Sequence, residues 1–390
     1  MNRRGHIISI VIVLLGFMAD GKAQQKGLSR AEAEQCRERI VAEWLSREAS
    51  LLKHNDETHC ITQGELHLRY DAKVFGEEPA DGRSLWISMH GGGNAPTALN
   101  DSQWENQKRL YQPDEGIYVA PRAPWDDWDM WFKPPIDSMF DELIRTMVTL
   151  HHVNPNKVYL LGYSAGGDGV WRMAPRMADR WAAAAMMAGH PGDVDLRSLR
   201  NLPFMIWCGG DDAAYDRNRV DAERGVEMDS LQQADPQGYV HETHILPGKP
   251  HWMDLEDKAA LPWMAQHRRN PYPERVVWVQ GDRGHTHFYW LGVPKEETKK
   301  GAEVRVSVKG NTVSIDSDDY TSITLYLNDS IVNLDRPVKV KWGRQTVYQG
   351  RLPRTEQNMS STIGHRGDPA FCFPSQVTVR RNTTKKQKPS

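Results

Sequence analysis

The sequence has little of what marks several large classes of protein. Its 390 residues include four cysteines, and no spacing among them resembles a zinc site. Beyond the amino terminus, no apolar run approaches the roughly 20 residues of a membrane helix. The 49 lysines and arginines nearly balance the 51 aspartates and glutamates, and a formal net charge of -2 gives no electrostatic reason to expect nucleic acid as a partner. A small neutral or mixed molecule fits better.

The amino terminus has the composition of an export signal. Arg3 and Arg4 precede an apolar stretch from Ile7 to Ala19, and Gly21-Lys22-Ala23 offers small residues for cleavage. We predict a signal peptide over residues 1 to 23 and a secreted or periplasmic mature protein with no stable membrane insertion. A retained membrane anchor is the alternative, although no cysteine lies near the cleavage site to carry a lipid.

The four cysteines permit three disulfide pairings in an oxidising compartment. Cys36 with Cys60 is the favoured pair because both flank a short helical segment near the amino terminus. Cys208 ends an apolar run, and a buried inert thiol is the usual state of a cysteine in such a place.

The chain divides into segments of different texture. Residues 24 to 64 are predicted to form an N-terminal helical segment, with an amphipathic helix over about residues 28 to 52. In residues 65 to 270, short apolar runs alternate with helical patterns. This alternation predicts an α/β domain with a doubly wound, mostly parallel sheet whose functional groups lie at the carboxyl ends of the strands.

The texture changes at a proline-bearing stretch around residue 270. Residues 271 to 381 contain short runs of period two that are separated by turns, for example 302 to 308 and 322 to 327. They predict a small antiparallel β domain. Residues 382 to 390 are polar and basic, and we predict a disordered tail there.

One stretch of the α/β segment has the pattern of a nucleophile on a strand-to-helix turn. An apolar run ends in Gly162-Tyr163-Ser164-Ala165-Gly166 and is followed by a helical pattern. Glycines at both ends of the motif remove the side chains that would collide in so tight a bend. We therefore predict that Ser164 is a nucleophile, and that the amide of Ala165 faces a developing oxyanion.

A nucleophilic serine of this kind needs an acid and then a base, in that chain order. After the apolar run 204 to 208 come Asp211 and Asp212, and we favour Asp212 as the acid while Asp211 stays open. After the run 240 to 246, His251 lies in a loop and is the predicted base.

A second glycine-rich turn completes the predicted constellation. His90-Gly91-Gly92-Gly93 follows an early apolar run, where a bare backbone can approach a substrate oxygen. We predict Gly91 or Gly92 as the second oxyanion donor, and the sequence does not choose between them.

Together these motifs resemble those of the α/β-hydrolase superfamily. Within it, the chain is similar to exported esterases of the polyhydroxybutyrate-depolymerase, feruloyl-esterase and dienelactone-hydrolase-like group. The resemblance covers roughly residues 65 to 270. It implies an α/β-hydrolase fold and a serine carboxylic-ester hydrolase that acts through an acyl-enzyme on a small-molecule or carbohydrate ester, such as an acyl or feruloyl ester, with no cofactor and no metal.

An aromatic loop after the strand pattern at 116 to 120 suggests how a substrate is held. Trp125, Trp128 and Trp131 are interleaved with acidic residues and could form a wall for a sugar ring or an aromatic acyl group. Packing of the loop onto the domain is the alternative. Tyr163 is also predicted to contact substrate. The acidic residues of the loop argue against an anionic substrate.

A second aromatic cluster, residues 284 to 291, contains His285 and His287. Two histidines at this spacing can chelate a metal on a strand, but no third ligand lies near them in the sequence. We expect the cluster to pack the β domain against the catalytic domain.

Two other functions fit parts of the sequence. A serine peptidase of the prolyl-oligopeptidase type shares the triad order, but such enzymes usually carry a large accessory domain where this chain has a short helical segment. In the other reading, the hydrolase fold is catalytically inactive and the protein binds a glycan or a partner. The intact triad argues against the latter.

Overall fold

The structure is a computed structural model that describes residues 27 to 381. The predicted signal peptide and the predicted basic tail lie outside the described residues. Among residues 27 to 381, no helix combines the length and the apolar character that crossing a bilayer requires.

The first part of the chain forms one large sheet and six helices. In chain order, the elements are α1 (Arg30–Thr58), β1 (Cys60–Gln63), β2 (Leu66–Phe75), β3 (Arg83–Met89), α2 (Thr97–Gln107), β4 (Gly116–Arg122), α3 (Ile136–Leu150), β5 (Val153–Tyr163), α4 (Ala165–Arg176), β6 (Ala183–Met187), β7 (Phe204–Gly209), α5 (Arg217–Ala234), β8 (His241–Leu246) and α6 (Ala260–Met264).

The eight strands are hydrogen-bonded in the order β1-β2-β4-β3-β5-β6-β7-β8. β1 and β2 run antiparallel to their neighbours, and the six strands β3 to β8 are mutually parallel. Order and direction together are those of the α/β-hydrolase fold, which confirms the predicted fold class.

The sheet buries both of its faces, so its central strands read as apolar runs without alternation. Leu160 of β5 belongs to the buried cluster that contains α3 and α4. Its neighbours Tyr159 and Leu161 point to the opposite face and join the cluster that contains α6. Helices on both faces make the sheet doubly wound.

The second part of the chain forms two further sheets and one helix. The elements are β9 (Arg275–Val279), β10 (His287–Phe288), β11 (Leu291–Gly292), β12 (Glu303–Lys309), β13 (Thr312–Asp316), β14 (Ser322–Leu327), β15 (Val338–Trp342), β16 (Gln345–Gly350), α7 (Glu356–Arg366) and β17 (Ser375–Arg380). The sheet orders are β16-β15-β13-β12-β9 and β10-β11-β14-β17. The strand pairs are antiparallel as predicted, with the exception of β13 and β15, which run parallel.

Helix α1 is longer than the sequence predicted. Ser29 and Glu32 form a reciprocal capping box at its start, and the helix continues to Thr58. Its buried residues Ile40 and Trp44 belong to the same cluster as Met359 and Ile363 of α7. Helix α1 is therefore held in place by α7, which lies near the other end of the described residues.

The favoured Cys36–Cys60 disulfide is wrong. All four cysteines are free thiols. Cys36 lies in the second turn of α1, and Cys60 begins the strand that follows this 29-residue helix. A rise of 1.5 Å per residue separates the two by roughly 30 Å along the axis, far beyond the reach of a disulfide. Cys208 is buried at the end of β7, as expected.

Candidate active site

Ser164 stands on a sharp turn between β5 and α4. Its backbone has φ 57° and ψ -121°, a conformation that a residue with a side chain rarely adopts. A Cβ at Gly162 would lie 2.4 Å from the carbonyl oxygen of Gly166, and a Cβ at Gly166 would lie 2.1 Å from that of Met89. The two glycines of the motif are thus required by close backbone contacts on either side of the serine.

Three side chains from separate strand ends meet at this turn. Ser164 Oγ lies 3.0 Å from His251 Nε2, and His251 Nδ1 lies 2.6 Å from Asp212 Oδ2. The side chain of Asp212 is 1% exposed and that of His251 is 40% exposed. The buried carboxylate can hold the ring while the open side of the ring stays within reach of a substrate.

The loops after β7 and β8 cross closely, and this crossing places the acid beside the base. A Cβ at Gly209 would lie 2.1 Å from the carbonyl oxygen of Pro250, so β7 must leave the sheet through a glycine. Beyond it, Asp212 turns inward, while Asp211 is exposed. Of the two candidate acids, the structure therefore brings Asp212 to His251.

Tyr163 lies beside the serine, but its hydroxyl is already engaged. It donates to the carbonyl oxygen of His251 at 2.6 Å and accepts from the amide of Met253 at 3.1 Å. Burial raises the pKa of Tyr163. The hydroxyl fixes the loop that carries His251, so the predicted substrate contact is limited to the ring.

The glycine turn after β3 lies directly against the serine. A Cβ at Gly91 would be 3.1 Å from Ser164 Cβ, and Gly92 has φ +104°. Ala165 is the first residue of α4, and its N–H has no acceptor within the helix. The backbones of Gly91 and Ala165 thus adjoin Ser164, and Gly92 lines a cavity together with the serine.

A buried neutral histidine holds this glycine turn in place. His90 Nδ1 lies 2.6 Å from the carbonyl oxygen of Gly91, and the amide of Ala123 donates to His90 Nε2 at 3.2 Å. Burial lowers the pKa of His90 to about 4, so the ring stays neutral and donates through Nδ1. This role of His90 is not evident from the sequence motif alone.

The three tryptophans of the aromatic loop have different surroundings. Trp131 is fully buried and donates through Nε1 to the carbonyl oxygen of His90, so its predicted substrate contact is wrong. Trp125 packs against the main buried cluster and lines neither cavity at Ser164, which corrects that prediction as well. Trp128 is 61% exposed and lines a cavity beside Ser164.

Two cavities meet at Ser164. The first cavity has a volume of about 450 Å³ and is lined by residues that include Gly91, Tyr163, His251 and Trp252. The second cavity has a volume of about 410 Å³ and is lined by residues that include Gly92, Trp128, Ala165, Asp168, Arg172 and Arg217. An ester whose carbonyl carbon lay at Ser164 Oγ would have its acyl part in one cavity and its alcohol part in the other.

Asp168, four residues after the serine, was not singled out from the sequence. One of its oxygens accepts from the amide of His190 at 2.6 Å. Burial raises the pKa of Asp168 to about 6, and Arg217 and Arg172 oppose that shift. Its only sequence signal is its place one turn beyond Ser164 on a helix that starts at the serine.

No group of three or more histidine, cysteine, aspartate or glutamate side chains in residues 27 to 381 is arranged to hold a metal ion. His285 and His287 bind different partners. His285 Nε2 lies 2.9 Å from Asp137 Oδ2, and His287 Nε2 lies 3.1 Å from the hydroxyl of Tyr326.

No family model and no curated protein matches this chain. Among solved structures, it is similar to a thermostable esterase, with 18% identity over 54% of this chain and 62% of that one, at a TM-score of 0.43. It is also similar to a ferulic acid esterase (16% identity, 53% of this chain, 95% of that one, TM-score 0.38). Est1E from Butyrivibrio proteoclasticus matches at 16% identity over 53% of this chain and 97% of that one, with a TM-score of 0.35. The strand order of this chain itself identifies the fold.

Proposed function

We propose that this protein is a serine carboxylic-ester hydrolase in which Ser164 is the nucleophile, His251 the base and Asp212 the orienting acid. The observation that carries the proposal is the unbroken hydrogen-bonded path from Asp212 Oδ2 to His251 (2.6 Å) and on to Ser164 Oγ (3.0 Å) at a strained turn. A serine that served only the fold would need neither the strained backbone nor a base held by a buried acid.

In the proposed reaction, His251 Nε2 takes the proton of Ser164 as Oγ attacks the ester carbonyl. Asp212 holds the ring and stabilises the imidazolium that forms. The carbonyl oxygen becomes an oxyanion facing the amide of Ala165 and that of Gly91 or Gly92. His251 then gives its proton to the leaving alcohol, and water hydrolyses the acyl-enzyme by the same route.

For the substrate, we propose small-molecule or carbohydrate esters. Exposed aromatic rings support this: Trp128 and Tyr215 line the second cavity at 61% and 78% exposure, and Trp252 lines the first at 44%. Rings left open beside a cavity can stack on a sugar or on an aromatic acyl group such as feruloyl. Export through the predicted signal peptide is part of the same proposal.

The test is turnover of a short activated ester by the wild type and by Ser164→Ala. We expect a loss on the order of 10⁶-fold in kcat for the variant, as for removal of a triad nucleophile. Mass spectrometry of protein treated with a fluorophosphonate should show one adduct, on Ser164. Similar turnover by both proteins, or an adduct on another residue, would reject the proposal.

A matched control is Ser138→Ala, which alters a serine on α3 whose hydroxyl donates to Gln63. This variant should keep wild-type turnover. A panel of acetyl, feruloyl and hydroxyalkanoate esters then ranks the acyl groups, and a peptide panel tests the peptidase alternative.

A further inference from the structure

The second cavity carries a buried cation whose hydrogen-bonding capacity is largely unused. Arg217 is 9% exposed and lines this cavity. It makes two long hydrogen bonds through Nη1, to Asp212 Oδ1 and to the carbonyl oxygen of Ala214, both at 3.4 Å. Its Nε is buried and makes no hydrogen bond to any described residue. A guanidinium has five N–H donors, so this one retains donors for a ligand.

A second cation lines the same cavity. Arg172 on α4 donates through Nη1 to Asp193 at 2.9 Å, and its Nε is also buried without a hydrogen-bond partner among the described residues. Asp193 binds Lys300 as well, and is therefore shared between two cations. The guanidinium lies 4.9 Å from the ring centroid of Phe132, another residue of the cavity wall.

The acidic residues of the aromatic loop do not oppose these cations. Asp126 is paired with Arg122, and Asp127 and Asp129 are both paired with Lys133. None of these acids lines either cavity. Each of these acids is thus paired with a cation at some distance from the cavity lining, and the prediction that they disfavour an anionic substrate does not extend to the second cavity.

We propose that the second cavity binds a carboxylate group of the ester substrate through Arg172 and Arg217. This inference rests on the proposed hydrolytic function and names its substrate class: esters with a free carboxylate on the acyl part. His251, which must protonate the leaving alcohol, lines the first cavity. That placement puts the acyl part, and with it the carboxylate, in the second cavity.

The test compares matched esters in two arms. In the acyl arm, the 4-nitrophenyl monoester of succinate is compared with 4-nitrophenyl butyrate. In the alcohol arm, the acetyl ester of 4-hydroxybenzoate is compared with that of 4-hydroxybenzamide. We expect the carboxylate to raise kcat/KM about tenfold in the acyl arm, as a charge-assisted pair of hydrogen bonds would. A gain only in the alcohol arm, or no gain in either arm, overturns the proposal.

Arg172→Gln should abolish the preference by lowering kcat/KM for the carboxylate ester about tenfold. The matched control is Lys300→Gln, which removes the other cation from Asp193 but lies outside the second cavity. It should keep the preference. Preference that survives in Arg172→Gln, or that is lost equally in Lys300→Gln, contradicts the proposal. Absence of turnover on both neutral esters would instead count against the hydrolytic function itself.

Asp168→Asn gives a second test of the site, and this variant leaves both arginines in place. The groups that face Asp168 are the amide of His190, the cations Arg172 and Arg217, and the side chains of His251 and Asp221. Ionisation of Asp168 around pH 6 puts a competing negative charge in the cavity. The ratio of kcat/KM for the carboxylate ester to that for the neutral ester should fall as pH rises through this value, because a pH effect on the chemical step that both esters share cancels in the ratio. In Asp168→Asn, the fall should disappear, and a fall of equal size there would count against the site.

Discussion

Buried aspartates in two regions of this molecule have pKa values that are shifted in opposite directions. Where the C-terminal sheets meet the eight-stranded sheet, burial acts to raise the pKa values of Asp137, Asp179 and Asp368, yet arginine partners hold all three below the usual range. Beside Ser164, burial raises the pKa of Asp168 to about 6, and the arginines near it do not reverse the shift.

The difference lies in the number and closeness of hydrogen-bond donors. Asp179 accepts hydrogen bonds from the guanidinium of Arg366 and from the amide of Tyr289, and Asp368 accepts one from Arg269 at 2.7 Å. Asp168 accepts one hydrogen bond, from the backbone amide of His190. The fully paired aspartates Asp179 and Asp368 hold the C-terminal sheets against the eight-stranded sheet. The arginines near Asp168 are incompletely paired, and their charge stays available to a ligand.

The largest effect that would sharpen this contrast is on catalysis. Asp212→Asn should lower kcat on the order of 10⁴-fold with the fold intact, because the amide favours the wrong tautomer of His251. Steady-state kinetics on a neutral aryl ester measures it. Asp211→Asn, at the exposed neighbouring position, is the control and should stay near wild type. A loss of less than tenfold in Asp212→Asn would mean that the buried acid is not part of the reaction.

At the contact between the sheets, the expected effect is on stability. Arg366→Leu leaves Asp179 buried without its cation and should lower the free energy of unfolding by about 3–5 kcal/mol. Urea unfolding measures this, and kcat/KM per folded molecule should not change. Arg39→Gln, which removes an exposed ion pair with Glu356 on the same helix α7, should have little effect. Equal effects of both variants would erase the contrast between buried and exposed pairs.

The two kinds of aspartate should also respond to pH with opposite signs. Asp168 binds its proton more tightly in the folded state, so stability falls as pH rises from about 4 to about 6, by up to roughly 3 kcal/mol. Asp179 and Asp368 bind theirs less tightly, so their contribution is lost as pH falls below the range where unfolded aspartates titrate.

Unfolding of Asp168→Asn at several pH values isolates the first contribution. The variant should lack the fall in stability between about pH 4 and pH 6, relative to wild type. Asp114→Asn, at an exposed position, should keep it. A wild-type slope retained in Asp168→Asn would show that another group causes it.

The smallest effect connects the two regions. Arg283, in the loop after β9, donates to the carbonyl oxygen of Phe132, which lines the second cavity. Arg283→Gln should raise KM about fivefold with kcat nearly unchanged, the size expected for one lost hydrogen bond. Arg305→Gln, at an exposed position of β12, is the control. An unchanged KM in Arg283→Gln would mean that the C-terminal sheets do not support the cavity wall.

Much of the fold follows from the sequence because its signals are local. Fully apolar runs mark the central strands, and their alternation with helical patterns predicts a parallel sheet. Helix α7 was missed because its segment is rich in poor helix formers such as Ser360, Ser361 and Gly364. It forms because Met359 and Ile363 pack against α1, more than 300 residues earlier in the chain.

The aromatic loop shows where sequence reasoning fails at the site. Trp125, Trp128 and Trp131 have the same residue type and alternate with similar acids, so their pattern cannot separate core from surface. Packing against His90 buries Trp131, while Trp128 stays open to solvent. The depth of each ring depends on elements distant in the chain, which no local pattern reports.

The sequence by itself determined the mostly parallel sheet, the glycine-framed turn at Ser164 and the chain order of the proposed serine, acid and base, because these depend on steric rules that act within a few residues. Only the tertiary structure decided that Asp212 rather than Asp211 faces His251, that no disulfide forms, and that two arginines line the cavity beside Asp168. These outcomes depend on which loops cross and how much water they exclude, and burial and charge are set by the whole packed molecule.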